Sequence, residues 1–256
     1  MSHFYNCENE PFLTKAATPA QAKKVGAFPS VTTVMGIIKD PFLDGIWAPQ
    51  QYIDLAREFP RASQRQIETR KYGMRTSPID GEEITSSEFG TTVHKRLEDH
   101  TNAILANKKP KLDSVWDEWA EPFLKYINDE SIEPVASELI TWDNEIKVAG
   151  SVDFVGKLPD GKYFMADYKC RDCKGRGGKF YEKKDCTQLA IESWMLARMW
   201  DLEYLPSIMS VCVDIRSKKH YHKEWTWKQM QKGIERFKLT SEIYWMDFMN
   251  VQWKPT

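Results

Sequence analysis

The sequence predicts an α/β fold in which a small mixed β-sheet is flanked by helices. Segments with apolar residues at helical spacing alternate with short runs rich in β-branched and aromatic residues, which are typical of strands. With 256 residues the chain is also long enough to bury a core without disulfides. We therefore expect a flexible lead-in over 1–28 and one domain over 29–256, with a mainly helical part over 29–130 and the sheet core and C-terminal helix over 131–256.

The individual elements follow from caps, turns and periodicity. Ser30 or Thr32 caps a short helix, and a helical pattern interrupted at Pro60 extends from about 47 to 72. Thr85 and Glu88 have capping-box spacing and begin a long helix. Further helices are predicted at 114–130, 187–200 and 228–249, and strands at 134–142, 146–157, 162–170, 207–215 and 219–227.

Charge and cysteine content limit the classes of function. The chain has 36 basic and 37 acidic residues and a net charge of −1, so any site for a polyanion must be local. Five cysteines and the lack of an apolar N-terminal segment predict a cytoplasmic protein with free thiols. No run approaches the roughly 20 apolar residues that span a bilayer, so no membrane partner is expected.

The segment 150–172 combines strand-forming residues with three charged side chains. Asp153 lies in the first arm of a predicted β-hairpin, Asp167 and Lys169 lie in the second arm, and a turn at 159–161 separates the arms. Alternation along the second arm places Asp167 and Lys169 on one face. Two carboxylates this close repel unless a cation lies between them, and Mg²⁺ prefers such oxygen ligands. The hairpin is therefore a candidate metal site.

These residues resemble a known nuclease signature. Gly150-x-x-Asp153 followed by Asp167-Tyr168-Lys169 is similar to the motif of the PD-(D/E)XK nuclease superfamily. Three more segments resemble its RecB-like exonuclease branch, which includes bacterial recombination nucleases, CRISPR-adaptation exonucleases, mitochondrial genome-maintenance exonucleases and many phage exonucleases. They are "GTTVHKRLE" around His94, "QLAIES" from Gln188, and the opening "PSVTTVMGIIKDPFLDGIWA". The resemblance extends from about residue 29 to about residue 250.

The resemblance implies a restriction-endonuclease-like core with extra N-terminal helices, and a metal-dependent phosphodiesterase that acts on DNA. It implies one or two Mg²⁺ or Mn²⁺ ions, held by His94, Asp153, Asp167 and the main-chain carbonyl of Tyr168. Lys169 would align or activate the attacking water, and Gln188 would help place the DNA strand or the lysine. An exonuclease in recombination, repair or phage genome processing is expected, in the cytoplasm of a bacterium or of a phage-infected host. A recombination or replication protein is a further expected partner.

The sequence departs from the family pattern at one position. The tyrosine expected four residues after Gln188 is Glu192, so its role is lost or supplied by another residue such as Trp194. Two other acids could approach the site. Glu98 lies one helical turn beyond His94 but also near Lys95, and Glu138 precedes the strand that leads to Asp153.

A basic loop follows Lys169. Glycines make this segment flexible, so it can fold over a phosphate backbone, although a solvated loop is the plain alternative. The candidate DNA-contacting residues are Arg171, Lys174, Arg176, Lys179, Lys183 and Lys184.

The cysteines raise a rival interpretation. Cys170, Cys173 and Cys186 resemble part of a metal site, which His220 or His222 could complete as a structural zinc centre. The spacing differs from that of relatives with an iron–sulfur cluster, so no cluster is expected and free thiols are preferred. Two further classes stay open: a noncatalytic nucleic-acid-binding module that has kept the fold, and a zinc-dependent structural protein.

Overall fold

The computed structural model describes residues 3–7, 12–14, 19–36, 74–173, 175 and 177–248. The predicted helical segment at 47–72 lies outside these ranges. Within them, no helix combines the length and the apolar character that crossing a membrane requires.

Small elements occupy the N-terminal part. Strands β1 (Phe4–Asn6), β2 (Phe12–Leu13) and β3 (Phe28–Pro29) form a sheet in the order β2-β1-β3. Helix α1 (Pro19–Lys24) precedes β3 in the chain, and helix α2 (Val31–Met35) follows it. The Ser30 side chain accepts a hydrogen bond from the Thr33 N–H, as its predicted capping role requires. Phe4 packs with Ala22 and Ala27, so elements within residues 1–28 form a small apolar cluster.

A helical part precedes the main sheet. Strands β4 (Met74–Thr76) and β5 (Glu83–Thr85) pair and lead into α3 (Ser86–Leu105), which begins with the predicted Thr85/Glu88 capping box. The single helix predicted at 114–130 is instead a 3-10 helix, Val115–Trp119, followed by α4 (Glu121–Asp129). Pro122 explains the break, because proline lacks an N–H and favours the first turn of a helix.

The main sheet has five strands: β6 (Glu133–Asp143), β7 (Val148–Lys157), β8 (Tyr163–Arg171), β9 (Ser207–Asp214) and β10 (His220–Glu224). Their order is β10-β9-β8-β7-β6. Strands β8 and β9 are parallel, and the other neighbours are antiparallel. Helix α5 (Thr187–Met199) connects β8 to β9, and α6 (Trp227–Phe248) follows β10. The predicted fold class, a small mixed sheet flanked by helices, is confirmed.

Helices cover both faces of the main sheet. On one face, α3, the 3-10 helix and α4 pack their apolar residues against Phe154 and Tyr168. On the other face, Leu189 and Leu196 of α5 pack against Val155 and Met165. Helix α6 lies against α5 and α2, where Phe237 is buried. The sheet is thus the middle layer, and its central strands β7 and β8 carry the predicted acids.

Candidate active site

The predicted hairpin is formed by β7 and β8. Phe154 pairs with Ala166 in an antiparallel register, and extension by one residue places Asp153 opposite Asp167. Gly161 in the connecting turn has a φ of 86°, a left-handed conformation that favours glycine. The two acids are therefore cross-strand neighbours on adjacent central strands.

A third acid lies in the same row. On the neighbouring strand β6, Ser137 pairs with Phe154 and Leu139 pairs with Val152. This register places Glu138 opposite Asp153. Three carboxylates consequently form a row across β6, β7 and β8, with Asp153 in the middle.

His94 of α3 reaches the first part of this row. Its Nδ1 lies 3.6 Å from Asp153 Oδ2, and its ring lies edge-on to Tyr168 with centroids 5.7 Å apart. The ligand-type atoms of His94, Glu138 and Asp153 all lie within 4.8 Å of one another. The helix predicted to carry a metal-binding histidine therefore brings it to Asp153.

Asp167 has different neighbours. Its Oδ1 accepts hydrogen bonds from Lys169 Nζ at 2.5 Å and from Gln188 Nε2 at 3.2 Å. Its Oδ2 is buried without a hydrogen-bond partner. Asp167 is not a member of the His94 cluster, although its charge acts on Asp153. The structure thus brings Asp167, Lys169 and Gln188 together directly and joins them to His94 through Asp153.

Burial and mutual repulsion change the protonation of the row. Burial, and then the charge of Asp167, raise the pKa of Asp153 to about 7, although Asp153 Oδ2 accepts the Tyr168 N–H at 2.6 Å. Burial and the charge of Asp153 also raise the pKa of Glu138. Burial and mutual repulsion thus both disfavour the charged form of these two carboxyl groups.

The two basic groups shift in opposite directions. Burial, and then the charge of Lys169, lower the pKa of His94, which favours the neutral imidazole that binds metals. For Lys169, burial lowers the pKa, but the charges of Asp167 and Asp153 outweigh it and raise the pKa above its ordinary value. Lys169 is therefore an ammonium group at neutral pH.

Glu192 occupies the position where the nuclease signature that the sequence resembles has tyrosine. It is buried, its Oε1 accepts a hydrogen bond from Gln188 Nε2 at 3.3 Å, and its Oε2 has no partner. Burial, and then the charge of Asp167, raise its pKa well above the ordinary value, which favours the neutral form of the carboxyl group. A Cβ at Gly150 would lie 2.8 Å from Glu192 Oε1, so a larger residue there would displace the Glu192 side chain. Trp194 lies elsewhere, against Arg198 and Lys238.

A cleft of about 430 Å³ gives access to the row. It is lined by one face of the first half of α3, which includes Gly90, His94 and Glu98, together with Glu138 and residues 168–170. Glu98 lies in this lining, but it forms an ion pair with Lys95 at 3.0 Å. Because His94, Glu138 and Lys169 all face the cleft, a ligand there would meet nitrogen donors and carboxylates together.

The basic loop is partly occupied with its own contacts. Arg171 donates two hydrogen bonds to the carboxylate of the fully buried Asp185, at 2.7 and 2.6 Å. Lys179 Nζ donates to the Asp172 carbonyl. Lys183 and Lys184 are exposed. Two of the predicted DNA-contacting residues, Lys174 and Arg176, lie outside the described residues.

The residues of the rival zinc site have separate partners. Cys173 Sγ lies 3.4 Å from Cys212 Sγ, whereas Cys186 is buried in the core at the start of α5. His220 Nε2 contacts the Trp119 carbonyl at 2.6 Å, and the His222 ring packs against Tyr126. In the described part of the chain, the group found with metal-ligand spacing contains His94, Glu138 and Asp153, and no cysteine.

No family model and no curated protein matches this chain. Among solved structures, it is similar to a "Putative exonuclease" from Eubacterium rectale, with a TM-score of 0.40 and 11% identity, over 86% of this chain and 96% of that chain. It is also similar to LHK-Exo in complex with dAMP, with a TM-score of 0.29 and 10% identity, over 78% of this chain and 89% of that chain. Likeness at this level does not establish a shared activity, so function must follow from the geometry of the site.

Proposed function

We propose that the protein is a Mg²⁺- or Mn²⁺-dependent deoxyribonuclease of the PD-(D/E)XK type that acts as an exonuclease in recombination, repair or phage genome processing. The observation that supports this most strongly is the row of carboxylates on β6, β7 and β8, with His94 at one end and the Asp167–Lys169 pair at the other. A row of acids with too few cations is costly to bury, and a divalent ion removes that cost.

The donor groups fit a hard divalent ion. Asp153 and Asp167 would supply carboxylate oxygens, His94 would supply a neutral imidazole, and Tyr168 would supply a main-chain carbonyl. Asp167 Oδ2, which is buried without a partner, is an acceptor ready for a cation. When bound, one or two such ions would lower the pKa of a water molecule and offset the charge that develops on the phosphate.

The chain's own residues perform the remaining tasks. The Lys169 ammonium is held by Asp167 and faces the cleft, where it can orient an attacking water or contact the scissile phosphate. Gln188 binds Asp167 Oδ1 and so fixes the carboxylate from the side of α5. Of the four predicted DNA-contacting residues that the structure describes, Lys183 and Lys184 are exposed and would bind the phosphate backbone, while Arg171 and Lys179 hold the loop in shape.

Hydrolysis of end-labelled DNA tests this proposal. Linear and covalently closed circular DNA are incubated with wild-type protein in Mg²⁺, in Mn²⁺ and in EDTA. We expect metal-dependent release of nucleotides from linear DNA only. Asp167→Ala and Lys169→Ala should each lose at least about a hundredfold in rate. Asp129→Asn, which alters an exposed carboxylate paired with Lys125, is the matched control and should retain full activity.

The alternative class has a distinct outcome. A noncatalytic module would bind the labelled DNA, as measured by gel shift, but cleave it under none of these conditions. Cleavage that persists unchanged in both Asp167→Ala and Lys169→Ala would instead reject the assignment of this site.

A further inference from the structure

Glu138 has an unusual backbone conformation for its position. Six described residues other than glycine have a positive φ. Asn107, Ser131, Lys147, Asp201 and Lys218 lie in turns or loops between elements, whereas Glu138, with a φ of 52°, lies inside strand β6. A left-handed residue within a strand is strained, because its Cβ crowds the neighbouring carbonyl oxygen. Such strain persists only where the surrounding structure imposes it.

The strained residue is the one that faces the site. Glu138 lies opposite Asp153 in the β6–β7 register, yet the two ladder pairs next to it, at Ser137 and Leu139, are regular. Its carboxylate lies in the cluster with His94 and Asp153 and lines the cleft. Ser151 Oγ donates a hydrogen bond to Glu138 Oε2 at 2.8 Å and so fixes the orientation of the carboxylate. The conformation therefore directs the Glu138 carboxylate toward that of Asp153. Such an approach of two like charges does not stabilise the fold.

We propose that Glu138 is a further ligand of the divalent ion held by His94 and Asp153, and that the fold accepts a strained residue in β6 in order to aim it. This inference rests on the proposed function and adds a ligand to it. The three groups supply one nitrogen and two carboxylates, a donor set that suits Mn²⁺. Asp153, in the middle of the row, would then serve both the His94–Glu138 side and the Asp167–Lys169 side.

The proposal predicts that stability and metal affinity change in opposite directions at residue 138. Glu138→Gly relieves both the strain and the repulsion, so the melting temperature of the metal-free protein should rise by about 3 °C. The isosteric Glu138→Gln should weaken Mn²⁺ binding at least about tenfold, because an amide is a much poorer ligand than a carboxylate. Lys147→Gly is the matched control, since Lys147 has the same φ of 52° but lies in the exposed turn before β7.

The experiment measures melting temperature against Mn²⁺ concentration for wild-type protein and for Glu138→Gln, Glu138→Gly, Asp153→Asn and Lys147→Gly. It needs no DNA and no turnover. We expect Lys147→Gly to raise the metal-free melting temperature as Glu138→Gly does, and to bind Mn²⁺ like the wild type.

The outcomes separate this inference from the proposed function. If Asp153→Asn abolishes the Mn²⁺-induced shift while Glu138→Gln leaves it intact, Glu138 is not a ligand and the metal site stands without it. If neither variant changes the shift, or if wild-type protein shows none, the metal site itself is rejected. If Lys147→Gly stabilises the metal-free protein and Glu138→Gly does not, the strain at residue 138 has no cost and that half of the inference is wrong.

Discussion

Two carboxylate sites in this protein, Asp117 and the acidic row on the main sheet, have opposite surroundings. Asp117, at the start of the 3-10 helix, receives hydrogen bonds from Arg96 at 2.7 Å, from the Ser114 N–H at 2.8 Å and is joined to His100 at 2.7 Å. Burial raises its pKa, but these hydrogen bonds, that of Arg96 first, outweigh burial and lower the pKa to about 2. In the acidic row on the sheet, burial and repulsion raise the pKa of Asp153 to about 7.

The difference indicates what each group is for. The Asp117 carboxylate receives hydrogen bonds from α3 and from its own turn. Its charge is therefore compensated within the fold, and the contacts hold the 3-10 helix against α3. Asp153 has acids on both sides in its row and receives one N–H, from Tyr168. Groups whose charge the fold leaves uncompensated are typical of functional sites, whereas fully paired ones are typical of structural contacts.

The largest expected effect is on catalysis. Asp153→Asn should reduce the rate of DNA hydrolysis by about a thousandfold or more, because it removes the central carboxylate of the row. In EDTA the free energy of unfolding of the same variant should be about 1 kcal/mol higher than that of the wild type, because the repulsion between Asp153 and its neighbouring carboxylates is removed. Nuclease assays and urea denaturation of one preparation check both. If the variant is less active and also less stable without metal, Asp153 stabilises the fold as Asp117 does, and the contrast between the two acids is wrong.

Asp117→Asn should behave in the opposite way. Removal of one partner from a buried ion pair leaves Arg96 without its strongest contact, so we expect the free energy of unfolding to fall by about 3 kcal/mol. The Mn²⁺-induced shift in melting temperature should stay as in wild type, because Asp117 lies in another cluster. Loss of Mn²⁺ binding in a variant that is still folded at the assay temperature would contradict the division into two groups.

The Arg171–Asp185 pair extends the comparison to the basic loop. Arg171→Lys keeps the charge but loses the two-pronged contact, so stability should fall by about 2 kcal/mol. The salt dependence of DNA binding should change little. Denaturation and binding titrations at several salt concentrations separate these effects. A normal stability together with a shallower salt dependence would instead show that Arg171 contacts DNA, as the sequence suggests.

Acid titration should distinguish the two groups by the sign of the effect. The folded pKa of Asp117, about 2, lies below the ordinary value of 3.8. Its contribution is therefore full above about pH 4 and is lost as pH falls toward 2. The folded pKa of Asp153 lies above 3.8, so in EDTA its cost is absent below about pH 4 and grows as pH rises toward 7. Urea unfolding of the wild type beside Asp117→Asn and Asp153→Asn between pH 2 and pH 8 measures both differences, and changes of the same sign would refute the comparison.

The smallest effect concerns the exposed end of the loop. Lys183→Ala and Lys184→Ala should each change stability by less than about 0.5 kcal/mol. Each should reduce the slope of log affinity for DNA against log salt by about one. Lys125→Ala, at an exposed lysine on α4, is a control of the same kind. Unchanged slopes in both loop variants would leave the loop as solvated surface.

Local sequence signals explain how much of the fold could be predicted. The Thr85/Glu88 box, the turn at 159–161 and the alternation on both sides of it depend on neighbours in the chain, and these features are present as predicted. The hairpin then places Asp153 beside Asp167 by register alone. His94 needs a long-range contact between α3 and β7, and here the family resemblance supplied what local signals do not contain.

The other parts of the site depend on contacts that no local signal reports. Glu138 belongs to the row because of the β6–β7 register and a positive φ, and neither follows from a glutamate in a strand pattern. Arg171 looks like a solvated loop cation until Asp185, which lies further along the chain, is found beside it. Cys173, which follows the end of β8, contacts Cys212 of β9, although the ladder pairs Cys212 with Lys169 and a whole helix separates the two strands in sequence.

The parallel neighbour of β8 also affects how the molecule assembles. Asp167 pairs with Ser210 of β9, and β9 begins at residue 207, after the loop and α5 have been traversed. The ribosome must therefore synthesise most of the chain before β8, which carries Asp167 and Lys169, can pair with β9 on its second side. Nonlocal parallel pairing is slow compared with hairpin closure. The acids would thus remain hydrated through most of synthesis, and the pocket would become a low-dielectric environment only in the last stage of folding.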